Sequence, residues 1–379
     1  MKKNLLLTPG PTKLHPKICE ALGQPIIHHR TPQFQAILKE AADGLKYIFQ
    51  TKNDVYILTS SGTGAMEAAV CNLLSPGDKT ITVEAGKFGE RWTELCKAYG
   101  AKAEVTKVEW GKAVQAAAIE KILNSQKDIK AVFVTLTETS TGVDANIKAI
   151  GEVVKKTNAV LVVDAISGLG VVDLQTDAWG VDVVVSGSQK GFMLPPGLAF
   201  ISVSPKAWAL VEKSANPKYY FSLKKAKKAA EQTDTPFTPA IGIIIALNES
   251  LKLMRAQGLQ KLFDNFKKLA RGGHEAMKAL GLKLFADPSC ISTVVTAVCV
   301  PDGIDGKKLV KTMRDTYGVT MAGGQAELEG KIFRLSQMGC INEQDILDGI
   351  TCLETVLKEM GYKFEAGAGV AAAQKVFKS

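Results

Sequence analysis

The chain has 379 residues, 46% hydrophobic and 22% charged, which excludes a disordered polymer and suits two or three globular domains. Its net charge of +9 is spread along the chain, apart from KKAKK at 224–228; that knot reads as a solvated helix face, so small anionic substrates are expected and nucleic acid is not. Seven cysteines without a CxxC pair argue against a disulfide framework or zinc site and for reduced, cytoplasmic thiols, and neither a membrane span nor a signal-peptide core (Pro9 interrupts the N-terminus) is expected.

Taken in chain order, short apolar runs at 54–60, 79–84, 103–109, 131–138, 159–165, 181–188 and 198–204 alternate with helical patterns. Unbroken apolar strands separated by helices predict an α/β unit with a mostly parallel sheet sandwiched by helices, and ligands bind at the carboxyl ends of such strands. After residue 240 the pattern changes. Two helical stretches, 240–256 and 258–281, lead to the strand candidates LKLFA, TVVTAVCV and KIFRLSQM, then to a helix after Asn342, the expected N-cap. The expected division is a large domain at 15–255 and a smaller C-terminal α+β domain at 256–379, ending in a loose tail, GAGVAAAQKVFKS.

The chemistry-bearing residues fall at strand ends. In VDVVVSGSQKGFMLPPG (181–197) a buried-looking strand runs into Lys190. A desolvated lysine loses its charge readily, and a neutral amine condenses with carbonyls; the plainer reading is a snorkelling lysine at a strand end. In SSGTGAMEA (60–68), Gly62 and Thr63 open a helix whose free N–H groups suit an anion, or form a tight turn that binds nothing. It is neither a dinucleotide fingerprint nor a Walker loop. Asp164 ends an apolar strand, where a carboxylate is costly unless paired; it is either a turn cap or the partner of a protonated ring nitrogen. Thr139, Ser140 and Thr141 end another strand with hydroxyls, and Phe88 follows a third, either as core or stacked on a flat ring. One flat ligand satisfies all of these together: phosphate on Gly62 and Thr63, ring on Phe88, ring nitrogen on Asp164 and aldehyde on Lys190. Pyridoxal 5′-phosphate meets every one of these requirements and is the ligand expected.

The motifs LLLTPGPTKLHPKI, SSGTGAMEAAV, TETSTGV, VVDAISGLG, SGSQKGFMLPPGLAFIS and FRLSQMGC, in that order over residues 4–360, resemble the class V pyridoxal-phosphate aminotransferases, in the alanine–glyoxylate and serine–glyoxylate (serine–pyruvate) branch. The resemblance implies fold-type I, a homodimer with shared active sites, and an N-terminal segment (1–14) reaching the site. It implies that Lys190 is the Schiff-base lysine and proton shuttle, that Asp164 pairs with the ring nitrogen, and that Ser140 lies near the ring hydroxyl. Gly62, Thr63 and Gln189 would hold the phosphate, and Thr238 would reach the neighbouring subunit's phosphate. Arg334 would clamp the substrate carboxylate, with Gly10 beside it. Phe88 stands where close relatives often have tryptophan, and Thr235 where some have a phosphate-binding tyrosine.

Arg334 lies among Ile332, Phe333 and Leu335; its fork matches a carboxylate bidentately, the plainer reading being an edge-strand charge. His28 and His29 are adjacent, a poor geometry for a metal, and none is expected. Arg30, by resemblance, reaches across the dimer to a second substrate carboxylate, or is an interface arginine. The activity implied is ping-pong transfer of an amino group from serine, alanine or aspartate to glyoxylate or pyruvate. The alternatives are a class V lyase or desulfurase, disfavoured because 321–331 lacks a cysteine, or a non-catalytic subunit of a complex.

Overall fold

A strand with no polar alternation must be covered on both faces, and the central strands obey this. The computed structural model describes residues 4–379; residues 1–3, the head of the expected 1–14 segment, lie outside the described residues. The strands are β1 Leu5–Leu7, β2 Val55–Ser60, β3 Lys79–Glu84, β4 Lys102–Lys107, β5 Ile129–Thr135, β6 Thr137–Glu138, β7 Val143–Asp144, β8 Val160–Asp164, β9 Val183–Gly187, β10 Gly197–Val203, β11 Val295–Cys299, β12 Val319–Gly323 and β13 Ile332–Ser336.

A seven-stranded sheet runs in the order β2-β10-β9-β8-β5-β3-β4. Its strands pair in parallel except β10, which is antiparallel to both β2 and β9. The connection 188–196 between β9 and β10 is too short for a parallel crossover, so the chain turns straight back, and Lys190 sits in that turn. The period of two is visible in β8. Val160 and Val162 face a core with Met66, Trp92 and Phe133 from the side of helices Gly62–Leu73 and Lys87–Ala98. Leu161 and Val163 face the opposite core, with Leu45 and Ile150 from helices Pro32–Phe49 and Ile147–Val154. The carboxyl ends of β5, β8 and β9 share one edge, which brings together 137–140, Asp164 and Lys190.

The second sheet has the order β1-β12-β13-β11, with β1 parallel to β12 and the other pairs antiparallel. Helices Ile241–Gln257 and Leu259–Ala279 part at Gly258. Two expectations need correction, LKLFA and the C-terminal tail, and two strands, β1 and β12, add to those expected. LKLFA is no strand but a single bridge, Leu284 to Val298. The C-terminal tail is a helix, Ala368–Lys378, that buries Ala373, Val376 and Phe377 and packs Phe377 against Gly272. Asn342 does cap helix Glu343–Glu359, in a reciprocal capping box with Asp345.

Candidate active site

The β9–β10 turn folds Lys190 inward, and its Nζ donates to the Pro9 carbonyl. Gly10, at φ +128°, lies so close that a Cβ there would come 2.6 Å from Lys190 Nζ, so only glycine fits. Burial draws the lysine pKa down to about 8; Asp164 pulls it back up, while Arg334 and Arg91 push it further down. Asp164 is buried at the end of β8, where Oδ1 accepts from Ile166 N–H at 2.8 Å. Burial raises its pKa to about 7; the Ile166 hydrogen bond opposes this, Glu138 adds to it, and Arg91 and Lys190 oppose it. A buried carboxylate in this state is stabilised by any cation delivered beside it.

The anion end is built from helix Gly62–Leu73. Its first local bond runs from Gly64 N–H to Ser61 C=O at 2.9 Å, so the N–H groups of Gly62 and Thr63 precede the helical ladder. A Cβ on Gly62 would meet Ile166 at 2.6 Å, which places this helix start against the segment after Asp164. A Cβ on Gly187 would lie 3.2 Å from Gln189 Oε1 and 3.3 Å from Gly62 N. Gln189 therefore flanks the helix start, and its Oε1 is buried without a hydrogen-bond partner. Glycines at 62 and 187 let the helix start, Gln189 and Ile166 pack together where a side chain would clash.

Two residues overlooked in the sequence organise the ring end. Glu138 is buried, and one carboxylate oxygen accepts from Phe88 N–H and Gly89 N–H, both at 3.0 Å. The other accepts from Ser140 N–H at 3.2 Å and Ser140 Oγ at 2.5 Å. Burial raises the Glu138 pKa, and these hydrogen bonds hold it down. The carboxylate thus fixes Phe88 relative to Ser140, whose Oγ also accepts from Lys87 N–H at 3.1 Å. Arg91 lies over the Phe88 ring, 4.9 Å from its centroid, and donates to Thr63 Oγ1 at 3.2 Å. The only local signal for Glu138 is a carboxylate amid hydroxyl donors in TETST.

Arg334 is not an edge charge facing water: it is 4% exposed. Its Nε and Nη2 donate to Gly323 C=O at 2.9 and 2.7 Å, and Nη1 to Thr139 C=O at 2.8 Å. Burial lowers its pKa to about 10. Carbonyl dipoles hold it, the Glu138 charge partly offsets the cost of burial, and among the described residues it forms no ion pair.

Among the described residues, no hydrogen bond or ion pair joins the remaining candidates to Lys190, Asp164 or Arg334. Arg30 pairs with Asp234 and donates to Thr235 C=O at 3.3 Å. Thr235 bonds the Phe237 carbonyl at 2.8 Å and lines a cavity of about 350 Å³ with Leu38, Tyr56 and Asp234. Thr238 is exposed. The His28 and His29 rings stack at 4.8 Å. Cys340 lies beyond β13, and burial raises its thiol pKa.

Residues 18–348 match the family described as aminotransferase class V. The chain is 44% identical to the soluble hydrogenase small subunit of Synechococcus sp., over 99% of this chain and 98% of that protein. It is 37% identical to the L-aspartate–glyoxylate aminotransferase of Paracoccus denitrificans, over 99% and 96%. The crystal structure of ureidoglycine–glyoxylate aminotransferase from Bacillus subtilis superposes with a TM-score of 0.96 at 29% identity, covering 100% of this chain and 99% of that one.

Proposed function

The chain belongs to the class V aminotransferase family, and from that premise we propose that it moves an amino group from a small L-amino acid (serine, alanine or aspartate) to glyoxylate or pyruvate, by a ping-pong route, with pyridoxal 5′-phosphate held on Lys190. The observation that carries this reading is the pairing of an enclosed amine, Lys190, with a buried arginine that forms no ion pair among the described residues, Arg334.

The residues present fit the cofactor. Gly62 and Thr63, beside Gln189, offer a phosphate two N–H groups that precede the helical ladder. Phe88 offers a ring face, Ser140 a hydroxyl and Asp164 a counter-charge for a ring nitrogen. Bound there, pyridoxal phosphate supplies an electron sink for the carbon that loses its proton. Lys190 supplies the base: with a pKa near 8, a useful fraction of Nζ is neutral at cellular pH, and the same atom returns the proton. Asp164 stays charged once a ring cation lies against it. Arg334 orients the substrate through its carboxylate, using the N–H groups not taken by Gly323 and Thr139.

The proposal extends to a homodimer of a cytoplasmic protein with shared active sites. Thr238 is exposed, Arg30 bonds to Asp234 and Thr235, and Ile26, Tyr219 and Tyr220 are large exposed apolar groups. In such a dimer these residues serve the partner's site, and Arg30 receives a second carboxylate. No observation favours a desulfurase: 321–331 has no cysteine, and the Cys340 thiol is raised, not activated.

Visible absorption tests the proposal. The protein with pyridoxal phosphate should be yellow, bleach with the right donor among serine, alanine, aspartate and glutamate, and recover its colour with glyoxylate or pyruvate. Aspartate as best donor supports the role of Arg30. A protein that stays colourless with added pyridoxal phosphate overturns the reading.

A further inference from the structure

The residues before helix Pro16–Leu22 form a strap that is bonded on both sides. On one side it belongs to the second sheet: β1 pairs with β12, Cys340 N–H donates to Lys13 C=O at 3.1 Å, and a Cβ on Gly339 would meet Thr12 at 2.6 Å. Lys13 Nζ grips both Asp345 carboxylate oxygens, at 3.0 and 2.8 Å. Asp345 is itself immobilised, 6% exposed and locked in the capping box with Asn342. On the other side the strap holds Lys190 at two points. Thr12 Oγ1, 1% exposed, donates to the Lys190 carbonyl at 3.0 Å, and the Pro9 carbonyl takes the Nζ hydrogen bond against Gly10. A bond from Thr8 Oγ1 to Pro11 C=O at 2.7 Å stiffens the turn between these points.

We propose that Lys13 and Asp345 are positioning residues for Lys190: their ion pair anchors the Thr8–Lys13 strap to the second sheet and thereby keeps the reacting amine enclosed and aimed. The inference rests on the reading of Lys190 as the reacting amine, but neither residue touches the reacting atoms. Releasing Lys13 loosens the strap from its anchored end, and Pro9 and Gly10, which cover Nζ, then admit water. The charged groups facing the amine are Asp164 on β8, Arg334 on β13 and Arg91 on helix Lys87–Ala98, and none of them changes when the pair is broken. Burial is the main cause of the depressed lysine pKa, so hydration moves it upward from about 8.

The test reads the amine itself in the cofactor-free chain. Competitive acetylation with acetic anhydride over a pH series, quantified by mass spectrometry on the Lys190 peptide, gives a titration midpoint for that residue. Lys13→Met and Asp345→Asn should each raise the midpoint by about half a pH unit or more. Lys13→Arg should keep the wild-type value, and the double variant Lys13→Met/Asp345→Asn should rise no further than either single one. An unmoved midpoint in both single variants overturns the inference, even if their thermal stability falls, because the pair is then a brace only. A Lys13→Arg midpoint that moves as far as that of Lys13→Met also overturns it. The two readings fail separately. Midpoint shifts in the variants with no transamination by the wild type sink the proposed function alone; transamination by the wild type without shifts in the variants sinks the strap alone.

Discussion

Replacing Arg334 by lysine keeps the charge and removes the fork. In the structure three of the five guanidinium N–H groups are spent on Gly323 and Thr139 carbonyls, leaving two for a substrate carboxylate. Lysine presents its donors from one point and cannot serve both carbonyls and a carboxylate. Two charge-assisted hydrogen bonds, at about 1.5–3 kcal/mol each, are lost, and one point-charge contact is regained. The net loss is about 2–4 kcal/mol. At 1.36 kcal/mol per tenfold, kcat/KM falls about 30- to 1000-fold. The assay is the amino-donor half-reaction under single turnover, run with serine and with ethanolamine, which lacks the α-carboxylate. The loss should appear with serine and vanish with ethanolamine. A variant within about threefold of wild type on serine, or equally impaired on both amines, refutes the assignment of Arg334 to the carboxylate.

Asp164→Asn removes the charge that holds the Lys190 pKa up, so the labelling midpoint of Lys190 should fall below about 8; an unchanged midpoint contradicts the coupling. The same variant tests linkage. Between the ordinary aspartate value and about 7, folded Asp164 binds more proton than unfolded Asp164, so its contribution makes the cofactor-free chain less stable as pH rises through that window. Urea unfolding at about pH 5 and about pH 8 should show Asp164→Asn gaining stability over wild type at the higher pH. Glu138→Gln puts an amide N–H₂ against donors that now share a carboxylate, and should cost about 2 kcal/mol in urea unfolding and weaken binding of pyridoxal phosphate. Phe377→Ala should cost about 3 kcal/mol, read by the same method; no change would mean that the C-terminal helix is not part of the core.

The central sheet was legible because burial on both faces writes itself into composition: β8 is four apolar residues and an aspartate, short and β-branched as a covered strand is. Lys190, Asp164 and Gly62 were legible for the complementary reason, each being a costly or permissive residue where such a strand stops. β1 and β12 left a weaker trace, since short strands completed by partners far along the chain carry little local pattern. LKLFA has strand-like composition but reaches a neighbour only at Leu284. The last helix was hidden by its glycines, although Val370, Ala373 and Val376 do recur at helical spacing and alanine favours the helix. Glu138 and Arg91 were illegible in a stronger sense. Their partners, Phe88 N–H and Thr63 Oγ1, are brought to them only when separate strands and helices assemble.

The pairing of Leu5 with Val319 has a bearing on biosynthesis. Its two partners are made more than three hundred residues apart, which at about 5–20 residues per second separates them by about 15–60 s of translation. Through that interval the nascent large sheet is free to form around β8 and β9, while the N-terminal residues have no strand to join. The cover over Lys190 is therefore anchored only after the ribosome has delivered the second sheet, so the order of manufacture leaves the amine open through that interval.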